Sequence, residues 1–141
     1  CAGLSVLPGV DFKTFEHDMA LVDLRLALEA KGFTWYSERE LKASHKSGPL
    51  PDAAITKGSE RMAVEMELSQ KRKERYLALF EEYAASGWAK VLYFTASRSL
   101  GDYLLKIASD LLVSKLYAGR LPDAGAAPIT LKNYQGKEVV L

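Results

Sequence analysis

The sequence predicts an α/β domain built on a mixed central sheet flanked by helices. Three features lead there: a strand–helix–strand pattern over residues 61–96, a two-residue Gly58–Ser59 turn just ahead of it, and a long helical pattern before both. The 141 residues suit a single domain, 1–141, and 48% apolar content is enough for a core. Residues 1–10 (CAGLSVLPGV) form a lead-in, the core runs from about 11 to 118, and a hairpin closes the chain at about 129–141.

From Asp11 to Lys31 the spacing is helical. Leu21, Leu24 and Leu28 form one stripe; Phe15, Met19, Val22 and Leu26 form a second, so the helix should be covered over much of its girth. Gly32 is a natural stop. FTWYSER, 33–39, is rich in aromatic and β-branched residues and reads as a strand. ELKASHKSGPLP, 40–51, reads as turns. Residues 70–86 predict a helix with Leu77, Phe80 and Tyr83/Ala84 inward, ended by Gly87. AKVLYFTA, 89–96, is a short apolar run suited to a buried parallel strand. Residues 98–118 predict a third helix on Leu100, Leu104, Ile107, Leu111 and Leu112. LPDAGAAP is a loop, and ITLKNYQGKEVVL a small hairpin about Gln135–Gly136.

Lys and Arg total 19 against 18 Asp and Glu, so any affinity for nucleic acid must come from local patches. The single cysteine, Cys1, rules out an internal disulfide. No apolar run approaches the roughly 20 residues of a membrane span, and no signal peptide pattern is present. The expectation is a cytoplasmic protein without a membrane partner. Because the chain opens on Cys rather than Met, it is also expected to be part of a longer protein.

The hairpin carries the chemistry. Counting outward from Gly58–Ser59 pairs Lys57 with Glu60, Ile55 with Met62, Ala53 with Val64, and sets Asp52 opposite Glu65. Alternation then places Ile55, Met62, Val64, Met66 and Leu68 on one face and Asp52, Ala54, Ala63, Glu65 and Glu67 on the other. Facing carboxylates repel, and a divalent cation resolves that conflict; all-oxygen ligands suit Mg²⁺ or Mn²⁺. The alternative is a solvated polar face on an edge hairpin. Lys71, Arg72, Lys73 and Arg75 follow at once. Cations at a helix start oppose its dipole and make better sense beside a phosphate, although the stretch taken alone reads first as an ordinary solvated helix face.

HDMALVDLRLALE (17–29), WYSERELK (35–42), PDAAI (51–55) and AVEMELSQKRKERY (63–76) followed by VLYF together resemble the replication-relaxation family, which is related to the MOBC class of plasmid relaxases. Both are similar to the PD-(D/E)xK nuclease superfamily, so the resemblance, over residues 15 to about 95, implies a restriction-endonuclease-like α-β-β-β-α-β core. It makes Pro51–Asp52 the PD element and Glu65 the next acid. Glu67 stands where the superfamily usually has Lys, and Lys71 would supply that charge. His17, Asp18 and Asp23 match a helix-one acidic element that adds a ligand or orients water, and a winged-helix module is implied upstream. Relaxases of other classes use a tyrosine nucleophile; Tyr36 and Tyr76 are the two near the motifs.

Outside the resemblance, His17 continues the Leu21 stripe and is either a boundary residue or a site member; Glu38 either joins a salt-bridge network or reaches the metal; His45 is solvated. The expected activity is Mg²⁺- or Mn²⁺-dependent DNA nicking or cleavage at a transfer or replication origin. Asp52 and Glu65 hold metal, Glu67 holds metal or positions water, Lys71 neutralises developing charge, and Arg72, Lys73 and Arg75 contact DNA. Mobilisation or replication proteins are the further partners. The competing readings are a non-catalytic DNA-binding accessory with the same fold, favoured by the Glu at the Lys position, and a pure interaction domain, favoured by the near-zero net charge.

Overall fold

The computed structural model describes residues 12–45, 48–122 and 128–141. The lead-in at 1–10 and most of the LPDAGAAP loop lie outside the described residues. Helix α1 spans Phe12–Ala30 and stops at Gly32, whose φ of +93° is a conformation few other residues tolerate. Strand β1, Thr34–Ser37, runs directly into α2, Glu38–Ser44. β2 (Ala53–Lys57) and β3 (Glu60–Glu67) form the hairpin, α3 covers Lys73–Ala84, and β4 covers Lys90–Thr95. α4 (Arg98–Asp110), β5 (Leu116–Arg120), β6 (Thr130–Lys132) and β7 (Glu138–Val140) complete the chain.

Among the described residues the fold is α/β: four helices and one mixed sheet whose seven strands lie in chain order, β1 to β7. β1, β2 and β3 are antiparallel to one another, β3, β4 and β5 run parallel, and β6 and β7 return antiparallel. The hairpin register is the one counted from Gly58: Lys57 faces Glu60, Ile55 faces Met62, and Ala53 faces Val64. The C-terminal hairpin also forms, with Lys132 opposite Glu138.

Each sheet face is sealed by its own apolar cluster. Ile55, Met62, Val64 and Met66 meet Leu24 and Leu28 of α1 on one face. Ala63 and Tyr93 meet Tyr76, Phe80 and Tyr83 of α3 and Leu104 of α4 on the other. The alternation read along β3 is therefore a division between two half-cores.

Several expectations are corrected. The 98–118 helix ends at Asp110, because Leu112 turns to φ +58° and Val113 N–H donates back to Ala108 O at 2.9 Å. Leu112 is solvent-exposed, and Leu116–Arg120 becomes the strand that satisfies the far edge of β4. The helical spacing of the leucines ran on past the turn, where a buried strand is equally apolar. The turn-like stretch after residue 37 begins with α2, started by a capping box: Ser37 Oγ accepts from Glu40 N–H while the Glu40 carboxylate accepts from Ser37 N–H. α3 starts at Lys73, so Lys71 precedes the helix and Arg72 is its N-cap. Finally, the second α1 stripe is not covered: Phe15, Met19, Val22 and Leu26 are 47–61% exposed, diametrically opposite the core-facing leucines.

Candidate functional site

Asp52 ends the approach to β2, and Glu65 lies near the end of β3. The hairpin brings them together as its register requires. Glu65 Oε1 accepts from Asp52 N–H at 3.3 Å, and Asp52 Oδ2 accepts from Met66 N–H at 2.8 Å. Each carboxylate thus completes the strand ladder of the other strand.

Two neighbours contact this pair. From α1, His17 Nε2 lies 3.4 Å from Asp52 Oδ2, and its Nδ1 lies 3.8 Å from Asp18. The contact with Asp52 outweighs partial burial and raises the imidazole to about 9, so it is a cation at neutral pH. From α3, Tyr83 Oη donates to Glu65 Oε2 at 2.6 Å. Burial, and then the adjacent Asp52 charge, push the Glu65 carboxyl up to about 8. The facing-carboxylate conflict is thus met here by the raised Glu65 carboxyl on one side and the His17 imidazolium against Asp52 on the other.

Glu67 takes a different partner. Lys71 Nζ donates to its Oε1 at 2.9 Å, and to the Ser69 carbonyl and hydroxyl oxygens at 3.2 Å. Lys71 N–H also donates to Tyr76 Oη at 2.9 Å, which pins the turn between β3 and α3. Tyr76 is 1% exposed, packs against Phe80 and Tyr103, and is pushed up to about 12 chiefly by burial. That is a core residue that positions Lys71, not an activated nucleophile. Tyr36 is half-buried in β1, paired with Ala54.

These side chains line one open cleft of about 560 Å³. His17, Glu38, Asp52, Glu65, Glu67, Lys71 and Arg75 all border it, together with Tyr76, Glu82 and Tyr93. Asp18 and Asp23 are exposed on α1 and do not line it, and neither do the exposed Arg72 and Lys73. Among the described residues, no group of three or more His, Cys, Asp or Glu side chains is gathered as a metal cage.

Two tyrosines were missed in the sequence. Tyr83 was read only as part of an inner face. Tyr93 pairs with Glu65 across the parallel β3–β4 ladder, so period-two alternation along VLYF already set it on the acid face. It is 2% exposed, and its hydroxyl is the only buried side-chain polar atom without a partner among the described residues.

Compared with protein-family models and with curated proteins, the chain matches none. No helix among the described residues is long and apolar enough to cross a membrane.

Proposed function

We propose that this cleft is a phosphodiester site that nicks or cleaves DNA with Mg²⁺ or Mn²⁺, in a restriction-endonuclease-like arrangement. The Asp52–Glu65 pair at the hairpin ends carries the reading. Two carboxylates set backbone to side chain, one of them raised by burial and by the charge of the other, suit a hard divalent ion, which needs only one or two protein carboxylates beside water and substrate oxygens. Tyr93 borders the same cleft, and its buried hydroxyl has no partner among the described residues.

Asp52 and Glu65 would hold the ion, whose chemistry when bound is to polarise a phosphoryl oxygen and supply a nucleophile from water at neutral pH. Around it the chain's own groups divide the work. His17 pairs with Asp52 and orients it. Glu67 holds Lys71 beside the cleft, where its Nζ would have to exchange one of its bonds to Glu67 or Ser69 for a phosphate oxygen as charge builds there. Arg75 borders the cleft without an ion pair among the described residues, and supplies a cation for the backbone of the strand. The likeness to replication-relaxation proteins and plasmid relaxases supports a cytoplasmic setting in plasmid mobilisation or replication, with other proteins of those processes as partners.

The second reading is a DNA-binding accessory without catalysis. The Glu67–Lys71 ion pair favours it, since it occupies the lysine that would otherwise serve the reaction. A supercoiled-plasmid nicking assay with and without Mn²⁺ separates the two. The nuclease reading expects Mn²⁺-dependent nicking that Glu65→Ala abolishes; salt-sensitive DNA binding with no nicking in either protein leaves the accessory reading.

A further inference from the structure

A second, larger cleft of about 790 Å³ opens beside the first, and Leu50 and Glu82 line both. Its far wall is Arg61 and Trp88. Arg61 is exposed and shares the acid face of β3, four residues before Glu65, which sets the two about 13 Å apart along the strand. The Arg61 guanidinium carbon lies 4.9 Å from the centroid of the Trp88 ring. Among the described residues no carboxylate pairs with it. The turn that carries Trp88 is fixed from below: Lys115 Nζ donates to Ser86 O at 2.8 Å and to Trp88 O at 3.1 Å.

We propose that the Arg61–Trp88 pair is a stacking platform for an unpaired nucleobase of the strand whose backbone crosses the Asp52–Glu65 cleft. The proposal rests on the phosphodiester reading and adds the class of substrate: a single strand, or a duplex opened at the site. Guanidinium planes and aromatic rings stack on base faces, and only an unpaired, splayed base presents its face to a protein. Arg61 meets that need because its charge is engaged with an indole instead of a carboxylate, leaving a flat cation in an open cleft. Leu50 in the shared wall gives the connecting stretch an apolar side, and the fixed turn keeps the platform in place without the ligand.

The test uses the full chain in EDTA, with Trp35→Phe leaving Trp88 as the one indole of the two. An eight-residue oligothymidylate is titrated beside a closed blunt duplex. The oligothymidylate is expected to quench Trp88 emission, and the duplex is not. Arg61→Lys keeps the charge and removes the plane. It should weaken oligothymidylate binding about tenfold, the size of one lost base stack, without changing the slope of log affinity on log salt, which counts charge. Trp88→Ala, shown to be folded by circular dichroism, should lose affinity alike. Should Trp35→Phe fail to fold, quenching is read as the difference between the parent and Trp88→Phe. Oligothymidylate that does not bind, binds without quenching, or binds Arg61→Lys as it binds the parent overturns the platform. Quenching without Mn²⁺-dependent cleavage of any substrate removes the nuclease reading and leaves the platform; cleavage without quenching does the reverse.

Discussion

Asp52 and Glu65 are joined backbone to side chain: Asp52 N–H donates to Glu65 Oε1 at 3.3 Å, while Asp52 Oδ2 accepts from the residue after Glu65. Neither acid is a surface charge that happens to lie near the other. Each serves the backbone at the mouth of the hairpin, so the repulsion between them is built into the fold and must be neutralised.

Stability should therefore fall as pH rises. Glu65 is raised in the folded chain from 4.5 to about 8, so its contribution is full below 4.5 and is lost on the way to about 8. His17 is raised from 6.5 to about 9, so its contribution is full below 6.5 and is lost by about 9. The melting temperature is expected to drop across pH 5–9. Glu65→Gln should flatten the lower part of that slope, and His17→Gln the upper part. A melting temperature that does not change over this range would show that neither group is raised.

Tyr83 and Tyr93 should respond oppositely to loss of their hydroxyls. Tyr83→Phe takes the donor from Glu65 Oε2 and leaves a half-buried carboxyl short of a partner, a cost of about 1–3 kcal/mol. Because that bond lowers the Glu65 pKa, its loss should also move the pH midpoint upward. Tyr93→Phe removes an unpartnered hydroxyl and should leave the ligand-free melting temperature unchanged or raise it. Differential scanning calorimetry of the two variants checks both outcomes.

A divalent cation should raise the melting temperature, because the site it binds exists only in the folded chain. The rise should be larger at pH 8.5 than at pH 6, where a proton already occupies Glu65. Asp52→Ala should abolish it. Equal melting curves with and without millimolar Mn²⁺ at pH 8.5 would count against the metal.

Lys71 and Lys73 should fail differently. Lys71 borders the cleft on Glu67, so Lys71→Ala is expected to lower the single-turnover cleavage rate about tenfold to a hundredfold with little loss of DNA affinity. Lys73 is exposed and away from the cleft, so Lys73→Ala should weaken binding alike for every sequence and reduce the salt slope by about one. Normal cleavage by Lys71→Ala at saturating DNA removes its catalytic role.

The two faces of α1 offer a check on the core. Leu28 is fully buried and Leu26 is 61% exposed. Leu28→Ala is expected to cost about 2–5 kcal/mol, and Leu26→Ala less than about 0.5 kcal/mol. Urea denaturation midpoints measure the difference.

Local pattern determined much of this. The Gly58–Ser59 turn fixed the hairpin register, and period two then divided β3 between two faces, because a one-residue slip would have moved Met62, Val64 and Met66 away from α1 and put Glu65 and Glu67 into its apolar cluster. The parallel β3–α3–β4 unit followed from length and apolar content. What a one-dimensional pattern does not hold is what meets the far side of each element. α4 and β5 are both apolar, and only the open edge of β4 decides where helix gives way to strand. The second α1 stripe is as apolar as the first, and only packing exposes it. Asp52, Glu65 and Glu67 share a face in the sequence, yet Lys71 takes Glu67 while His17 and Tyr83, from two different helices, reach the other two. Charge state depends on burial and on neighbours distant in the chain, and the tertiary structure alone supplies both.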